Sequence, residues 1–396
     1  MGKRRLFIST GEVSGDLQGA ILIESLFAQA RLQGIELEIV AIGGPRMAAA
    51  GADLIGDTQR ISSIGLLEAL PHLMPMLLLK KQVERYLEAH PPDLVILIDY
   101  IAVNTPMGSF VRQRFPKVPI VYYIAPQEWA WSINDKNTNA IARITDRLLA
   151  IFPEEARYYE GHGLPVTFVG HPLVDRIATF PSREAARAEL GIPPEQIAVV
   201  LSAASRQQEL KYLVPRVFAA AQQIQAQLPQ VKFWIPLAIA EFEPLVRSFV
   251  EQYGLRAEIL PPDQGKTVLA AADLAIAKSG TINLELALLK VPQVVVYALN
   301  PITAWLGRHV LRFKIPTFAC PVNLVQMQPV VTELLQEEMT PENICQAVMV
   351  QITPEARARQ RQGYDAMAEA LGKPGVSDRA AQEILLMLNG FSQPSA

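Results

Sequence analysis

A chain of 396 residues is too long for one hydrophobic core. Its net charge of −3 lacks the basic excess that nucleic-acid-binding proteins show. Half of the residues are hydrophobic and 19% are charged, so we expect a compact soluble protein of two domains. Two cysteines are too few for a disulfide framework, which fits a reducing cytoplasm. The most apolar segment, residues 64–79, is interrupted by Glu68, Pro71 and His72 and is not expected to span a membrane.

Short apolar runs alternate with amphipathic segments along the first part of the chain. The apolar run at residues 6–8 is too short for a signal peptide and is predicted to belong to a first strand, residues 5–9. Further strands are predicted at 37–42, 94–98, 120–124, 147–151 and 166–169, with helices at 17–33, 83–90, 107–115 and 154–161. This alternation predicts a mostly parallel sheet with helices on both faces.

The alternation pauses at residues 170–181 and then resumes, with strands predicted at 197–201, 232–235, 257–260, 274–277 and 293–297. We therefore predict an α/β fold of two doubly wound, Rossmann-like parallel-sheet domains, residues 1–172 and 173–374. Two such domains in succession suggest the GT-B architecture, with a cleft between them. After Thr340 the pattern is helical, at 354–371 and 378–388, and the last helix, about residues 375–396, is expected to pack back on the first domain.

The segment Y-Y-I-A-P-Q-E-W-A-W at residues 122–131 begins as a strand and breaks at Pro126. Ligands of open parallel sheets bind at the carboxyl ends of the strands, which is where this loop should lie. Trp129 and Trp131 are two residues apart, so they cannot share one helix face. One could face a ligand while the other packs inward; alternatively both fill the core.

The segment S-T-G-E-V-S-G-D-L-Q-G-A at residues 9–20 follows the first strand and opens the first helix. Gly11 and Gly15 permit tight backbone geometry, and Ser14 or Asp16 can cap the helix. A helix N-terminus reached through glycines favours anions, although the spacing is not the dinucleotide-binding G-x-G-x-x-G. The alternative is an ordinary, well-capped turn.

The segment K-S-G-T-I-N-L-E at residues 278–285 follows the predicted strand at 274–277 in the second domain. Ser279, Gly280 and Thr281 offer backbone N–H groups and hydroxyls at a helix start, which suits a pyrophosphate. Glu285 lies one turn further, where it can accept hydrogen bonds from a ribose. The alternative is a capped helix with a solvated glutamate.

Two further segments, S-R-Q-Q-E at residues 205–209 and C-P-V-N at 320–323, carry side chains suited to a nucleotide. Arg206 can clamp a diphosphate and stabilise charge on a leaving group, or it forms a surface pair with Glu209. Asn323 offers both a donor and an acceptor to a uracil or sugar edge. No D-x-D and no zinc-like histidine spacing occurs, so we predict no metal.

Together these segments resemble the lipid-A-disaccharide synthase family. The shared words are Y-Y-I-S-P-Q-x-W-A-W at residues 122–131, G-E-x-S-G-D at 11–16, G-G-P-R-M-A-A-A-G at 43–51 and S-G-T-x-x-L-E at 279–285, and the resemblance covers about residues 6–390. It implies an inverting glycosyltransferase of family 19 and GT-B fold, acting in lipid A biosynthesis for the bacterial outer membrane. The implied reaction joins UDP-2,3-diacylglucosamine to 2,3-diacylglucosamine 1-phosphate through a β-1,6 bond and releases UDP.

The resemblance also implies which residues form the site. On the donor side it implies nucleotide contacts from Ser205, Arg206, Ser279, Gly280, Thr281, Glu285 and Asn323. On the acceptor side it implies Ser14, Gly15, Asp16, Asp99, Asn104, Gln127 and Trp129. No cofactor is expected, since the UDP-sugar is the donor substrate.

Two family words are altered in this chain. The I-D-x-P-D-F-N word, whose second Asp is thought to be the catalytic base, reads I-D-Y-I-A-V-N at residues 98–104, so Ala102 occupies the base position. An alanine cannot accept a proton, and losing a general base typically costs about 10²–10⁴-fold. Asp99, Asp16 or Glu128 takes the proton, or the reaction is slow or altered; Asp99 is alternatively structural. We name Asp99, Asp16 and Arg206 as catalytic candidates.

In the P-G-S-R word, Ala203 and Ala204 replace Pro and Gly, which restricts the backbone's approach to a phosphate.

The segment L-L-E-A-L-P-H-L-M-P-M-L-L-L-K-K at residues 66–81 is either a buried helix or an interfacial one, and the resemblance favours the interface. We thus expect a cytoplasmic protein held peripherally at the inner membrane, with UDP-diacylglucosamine and an acylated glucosamine phosphate as substrates; a homo-oligomer is left open. Alternative functions are a GT-B enzyme with another lipid acceptor, epimerase-type chemistry, or a UDP-sugar-binding homologue with weakened catalysis.

Overall fold

The computed structural model describes residues 3–11, 13–57, 73–131, 135–202, 204, 207–298 and 318–390. The chain forms two compact units, one of Met1–Pro172 with Gly372–Ala396 and one of Leu173–Leu371. Each unit has a parallel sheet covered by helices, so the predicted α/β fold class is confirmed. In the described ranges no helix is both long and apolar enough to cross a membrane.

The first unit is built on a parallel sheet with helices around it. Its described strands are β1 (Arg4–Ser9), β2 (Leu37–Gly43), β3 (Asp53–Asp57), β4 (Leu94–Ile98), β5 (Ile120–Tyr123), β6 (Arg147–Ala150) and β7 (Val166–Phe168). Among these residues the sheet has seven strands in the order β3-β2-β1-β4-β5-β6-β7. β1 pairs with both β2 and β4, so the winding reverses between β1 and β4. Ligands of such sheets bind at the carboxyl ends beside the reversal.

The helices of this unit up to residue 161 are α1 (Val13–Leu32), α2 (Pro45–Ala49), α3 (Leu73–Ala89), α4 (Ile101–Arg114), α5 (Glu128–Trp131), α6 (Lys136–Ile144) and α7 (Pro153–Gly161). Every residue of β4 is buried, as expected for a parallel strand covered on both faces. One core cluster joins Leu97 and Tyr122 of the sheet to Met107, Ile141 and Tyr159 of the helices. Burial of each large apolar side chain contributes roughly 1.5–3 kcal/mol.

The second unit repeats this plan. Its described strands are β8 (Ile197–Ser202), β9 (Val231–Pro236), β10 (Ala257–Leu260), β11 (Leu274–Lys278), β12 (Gln293–Tyr297) and β13 (Thr332–Leu335). Their order is β10-β9-β8-β11-β12-β13, and the winding reverses between β8 and β11. By the same rule, the carboxyl ends of β8 and β11 are where a ligand of this unit is expected.

The described helices of the second unit run from α8 to α17. They are α8 (Leu173–Ile177), α9 (Arg183–Glu189), α10 (Gln207–Tyr212), α11 (Val214–Gln227), α12 (Glu243–Gln252), α13 (Gly265–Ala271), α14 (Thr281–Leu288), α15 (Pro321–Gln326), α16 (Pro341–Gln351) and α17 (Pro354–Ala370). The next helix, α18 (Val376–Gly390), belongs to the first unit and packs against α1. There Gln382 Nε2 donates to Gln29 Oε1 at 3.1 Å, and Arg379 Nη2 donates to the Val169 carbonyl at 2.8 Å.

Some elements differ from the sequence-based predictions. The strand predictions omit β3 and β13, because these are edge strands of mostly half-exposed residues without an apolar run. Helix α4 begins at Ile101, not at residue 107, and contains Pro106. A proline within a helix costs one backbone hydrogen bond, which is why the pattern predicts a later start.

Candidate active site

In the first unit, side chains from β1, from the β4–α4 turn and from the first turn of α4 meet at the reversal. Ser9 Oγ donates to Asn104 Oδ1 at 2.6 Å, and both side chains are fully buried. A Cβ atom on Gly11 would lie 1.9 Å from Cδ1 of Tyr100, so only glycine fits against that ring. The G-E-V-S-G-D and I-D-Y-I-A-V-N segments are thus in direct contact.

The turn after β4 has a strained backbone. Asp99 has φ 52° and Tyr100 φ 23°, and at the end of the neighbouring strand Ile124 has φ 59°. Residues in such conformations cost about 1–3 kcal/mol each and cluster at functional sites. The strained residues are also linked, because the Asp99 N–H donates to the Ile124 carbonyl at 3.0 Å.

Two buried side chains hold the Asp99 backbone in this conformation. Asn104 Nδ2 donates to the carbonyls of Ile98 and Asp99, each at 2.8 Å. The Tyr122 hydroxyl donates to the same Asp99 carbonyl at 2.7 Å. Burial, followed by the charge of Asp99, raises the pKa of Tyr122 well above its usual value, so this hydroxyl remains a donor. The contacts give Asn104 a positioning role for the turn and leave the Asp99 carboxylate half-buried at the carboxyl edge.

Ala102 is exposed in the first turn of α4, three residues after Asp99. The position that carries a carboxylate in the family word therefore lies at the carboxyl edge of the sheet, where a ligand binds. In this chain Asp99 is the carboxylate nearest to it in sequence.

Asp16 has a different environment from the one expected of a catalytic residue. Its carboxylate is fully buried and accepts hydrogen bonds from the backbone N–H groups of Gly44, Arg46 and Met47 at 3.0–3.2 Å. These contacts cap the N-terminus of α2 and fix the G-G-P-R-M segment, which favours a structural role for Asp16 over proton transfer.

Ser14 and Gly15 open the first helix beside Asp16. A Cβ atom on Gly15 would lie 1.8 Å from Thr10 Oγ1, so Gly15 serves the close packing of the turn. The Ser14 side chain is exposed and can reach a ligand.

The segment after β5 continues from a short loop into α5 and combines an exposed glutamine with an anchored tryptophan. Gln127 is exposed, and Glu128 Oε1 accepts a hydrogen bond from Asn137 Nδ2 at 2.9 Å. Trp129 is half-buried, with its ring centroid 5.5 Å from that of Phe152. Its Nε1 is buried and has no hydrogen-bond partner among the described residues. The side chain of Trp131 lies outside the described part of the chain.

In the second unit, the S-G-T turn is arranged differently from our expectation. We expected Ser279 and Gly280 to direct their amide groups toward a ligand; instead the Ser279 N–H donates to the Val296 carbonyl at 3.1 Å and the Gly280 N–H to Asn283 Oδ1 at 2.7 Å. Ser279 Oγ donates to the Ala319 carbonyl at 2.7 Å. Thr281 is exposed at the first position of α14, where helix N–H groups have no intrahelical partner.

Glu285 is 7% exposed and is not the solvated glutamate of the alternative interpretation. Its Oε1 lies 2.9 Å from Nη1 of Arg176 on α8. Burial raises the pKa of Glu285, and the charges of Arg176 and Lys266 oppose this shift. The sequence did not draw attention to Arg176, because no motif links α8 to α14.

An ion pair joins the two strand ends at the reversal of the second sheet. Lys278 Nζ, at the end of β11, lies 2.8 Å from Oε1 of Glu209 on α10, which follows β8. Ser205 and Arg206, which precede α10, lie outside the described residues. The pair fixes the Lys278 ammonium, matched by the Glu209 carboxylate, directly before the S-G-T turn.

Asn323 contributes to the framework beside this turn. Its Nδ2 donates to the Val331 carbonyl at 2.9 Å and to Glu333 Oε1 at 2.6 Å, and its Oδ1 accepts from the Val331 N–H at 2.8 Å. Glu333 Oε2 in turn accepts from the N–H groups of Ala319 and Cys320. Because Asn323 is buried and bonded to its own chain, its geometry favours a positioning role over direct contact with a base or sugar.

Within the described ranges, no group of three or more His, Cys, Asp or Glu side chains is arranged to hold a metal ion.

Comparison with known proteins identifies the family. The lipid-A-disaccharide synthetase model matches residues 6–386. The chain belongs to this family. It is 55% identical over 384 residues to the lipid-A-disaccharide synthase of Gloeothece citriformis, covering 96% of this chain and 99% of the relative. It is 46% identical over 394 residues to that of Synechocystis sp., covering 99% and 100%. The lipid-A-disaccharide synthases are glycosyltransferases, so the predictions of family and enzyme class are confirmed.

Solved structures show the same fold at low sequence identity. A co-structure of S. aureus MnaA with UDP has a TM-score of 0.66 and 14% identity, covering 99% of each chain. The calicheamicin glycosyltransferase CalG4 has a TM-score of 0.60 and 16% identity, covering 100% of each chain. The predicted GT-B fold is therefore confirmed for this lipid-A-disaccharide synthase family member.

Proposed function

We propose that this chain transfers 2,3-diacylglucosamine from its UDP derivative to the 6-hydroxyl of 2,3-diacylglucosamine 1-phosphate, with inversion, releasing UDP. The observation that carries this proposal is the family match over residues 6–386. The placement of candidate side chains at the carboxyl edge of each sheet, next to the reversal, supports it.

The second unit is proposed to hold the donor. Thr281 and the N-terminus of α14 face the diphosphate, Glu285 accepts hydrogen bonds from the ribose, and Arg206 with Ser205 offsets the charge that develops on UDP as it leaves. The ion pair between buried Glu285 and half-exposed Arg176 supports this assignment, because it keeps a carboxylate oriented at low exposure. Ser279, Gly280 and Asn323 support the same pocket by fixing the turn.

The first unit is proposed to hold the acceptor. Ser14, Gln127 and Trp129 are assigned to the sugar and its substituents, with Gly15 and Asn104 shaping the backbone around them. Asp99 is assigned as the base that takes the proton of the 6-hydroxyl. Its half-buried carboxylate at a strained turn supports it over Asp16, whose oxygens are capped by three backbone N–H groups.

The reaction is tested with purified protein and UDP-2,3-diacylglucosamine, with and without the acylated glucosamine 1-phosphate, by measuring UDP release and product mass. UDP release that requires the acceptor and yields the disaccharide supports the proposal. Consumption of donor without acceptor would indicate epimerase-type chemistry or hydrolysis. Donor binding without turnover would indicate a binding homologue.

We propose in addition that α3 brings the protein to a membrane surface on the cytoplasmic side. Leu77 and Leu78 are 53% and 63% exposed, and Lys80 and Lys81 follow them on the same helix. Exposed leucines next to lysines suit an interface with anionic lipids. Sedimentation with anionic vesicles should fall about tenfold or more in the double variant L77E/L78E, because two apolar side chains lose their burial in lipid. Unchanged sedimentation would contradict this contact.

A further inference from the structure

Glu155, on α7, is a buried carboxylate that connects the ends of two neighbouring strands. It is 1% exposed. Oε1 accepts a hydrogen bond from the Ala125 N–H, just after β5, at 2.9 Å. Oε2 accepts from the N–H groups of Ile151 and Phe152, just after β6, at 2.8 and 3.2 Å. One side chain thus fixes the start of the loop that carries Gln127 and Trp129.

The same helix supports this loop at two further points. The Tyr159 hydroxyl donates to the Pro126 carbonyl at 3.4 Å, and the ring of Phe152, directly before α7, packs on Trp129. The Ile124 carbonyl, one residue before Ala125, accepts the N–H of Asp99. A short, continuous path of contacts therefore runs from Glu155 to both the loop and the proposed base.

The hydrogen bonds of Glu155 require a carboxylate, because all three are accepted by its two oxygens. Its two oxygens meet donors only, and in the described ranges no Lys, Arg or His forms an ion pair with it. An amide in its place would turn an N–H toward backbone N–H groups. Burying a charge without a cation is costly, and perturbed groups of this kind cluster at functional sites.

We propose that Glu155 is a positioning residue for the acceptor half of the transfer reaction, holding residues 125–131 and the Asp99 turn in their productive arrangement. This inference rests on the proposed function. Glu155 does not touch the substrate, since the backbone of the strand ends covers it. A carboxylate holds this arrangement; a protonated acid must turn one O–H toward the N–H donors and gives up a bond.

The titration of Glu155 supports the proposal. Burial raises its pKa to about 7; the backbone N–H groups oppose the shift, and the charge of Asp99 adds to it. The titratable groups that face it are Asp99 on the β4–α4 turn and Tyr159 on its own helix, and burial keeps the Tyr159 phenol protonated by raising its pKa. The N–H bonds lower the pKa of Glu155 below that of an equally buried acid without them, so protonation favours an arrangement in which Glu155 stays buried and gives up one of these bonds, although burial makes the folded chain easier to protonate than the unfolded chain. The arrangement should therefore be complete above pH 7 and loosen below it.

The test compares Glu155→Gln with Glu154→Gln, a neighbouring surface residue paired with Arg157. In Glu155→Gln, kcat/KM for the acceptor should fall about 10–100-fold, because small misplacements cost that much. The KM for the donor and the affinity for UDP should stay at the wild-type values. The wild-type rise in acceptor kcat/KM through pH 7 should be absent from Glu155→Gln and kept in Glu154→Gln. Wild-type acceptor kinetics and pH profile in Glu155→Gln would overturn the proposal.

Hydrogen exchange separates this inference from the proposed function. Absence of disaccharide from the wild-type protein contradicts the function, but backbone exchange at residues 125–131 still reports the positioning. Exchange there, corrected for its intrinsic pH dependence, should quicken in the wild type below pH 7, in Glu155→Gln at all pH values and in Glu155→Asp to a smaller extent. If neither the pH change nor the folded variant alters it, Glu155 does not position the loop.

Discussion

In both units the candidate residues lie at the carboxyl edge of the sheet, next to the reversal of the winding. The interactions that hold these residues differ between the two units. In the first unit, neutral hydrogen bonds from Asn104 and Tyr122 act on the strained backbone of the Asp99 turn. In the second unit the corresponding edge has two ion pairs, Lys278–Glu209 and Arg176–Glu285.

This difference fits two chemical tasks. Neutral donors to a backbone carbonyl fix the turn that carries the proposed base. Cations close to a helix N-terminus suit a ligand with two phosphates. Substitutions in the first unit should therefore change acceptor kinetics, and substitutions in the second should change donor affinity.

The largest effect is expected from Asp99→Asn. Removing a general base should lower kcat by about 10²–10⁴-fold, measured as the initial rate of disaccharide formation, while UDP affinity stays unchanged. Glu128→Gln tests the rival carboxylate and should keep most of the activity. The reverse result, a loss in Glu128→Gln and full activity in Asp99→Asn, would assign the proton to the loop after β5.

The matching change in the second unit is Glu285→Gln. Hydrogen bonds to a charged group contribute about 1.5–3 kcal/mol, so UDP affinity should fall roughly 10–100-fold in calorimetric titrations. The KM for the acceptor should stay unchanged. Glu258→Gln, which alters an exposed pair with Lys232 in the same unit, is the control. Equal affinities in all three proteins would show that Glu285 does not contact the nucleotide.

The sequence was sufficient for the two-sheet plan, because buried parallel strands such as β4 and β11 are continuous apolar runs. It was also sufficient to place Asp99 at a strand end, the S-G-T turn at a helix start and Glu285 one turn into that helix. It could not show that the amide groups of Ser279 and Gly280 are already bonded, or that Asn323 and Asp16 cap backbone segments. Those roles depend on partners such as Val296, Glu333 and Gly44, which are 10 to 28 positions away.

Glu155 and Arg176 were missed for the same reason. Glu155 follows an ordinary F-P-E helix start, and nothing in that pattern reveals the Ala125 N–H that it binds. Such residues can be recognised only from a structure, which gives their burial and their hydrogen-bond or ion-pair partners.

A pH experiment tests how one buried histidine of the first unit contributes to stability. Burial lowers the pKa of His171, in the first unit, to about 3 from 6.5. The folded form therefore resists a proton that the unfolded chain accepts, and the stability due to neutral His171 is lost as pH falls from 6.5 toward 3. Between pH 7 and 5 the loss is about 2 kcal/mol. Urea unfolding at pH 7 and 5 should show this loss in the wild type relative to His171→Gln.

Glu155 contributes to the pH dependence of stability with the opposite sign. This contribution is the same in the wild type and in His171→Gln, so it cancels when their pH dependences are compared. The raised pKa of Glu155 stabilises the folded state below 4.5, and that contribution is lost as pH rises to about 7 in both proteins. Exposed His90→Gln should behave as the wild type. If His171→Gln has the same pH dependence as the wild type, His171 does not account for the acid sensitivity.

The smallest expected effect is that of Ala102→Asp. Because Ala102 is exposed in the first turn of α4, an aspartate fits there and gains about 0.3–1 kcal/mol from the helix N-terminus. With Asp99 acting as base, the rate of disaccharide formation should rise less than about tenfold, since a second carboxylate adds little to one already placed. In an Asp99→Asn background the same substitution should restore at least about tenfold, because it resupplies a base at the same edge. A large gain in the otherwise unaltered protein would instead mean that Asp99 is structural and that the chain works without a positioned base.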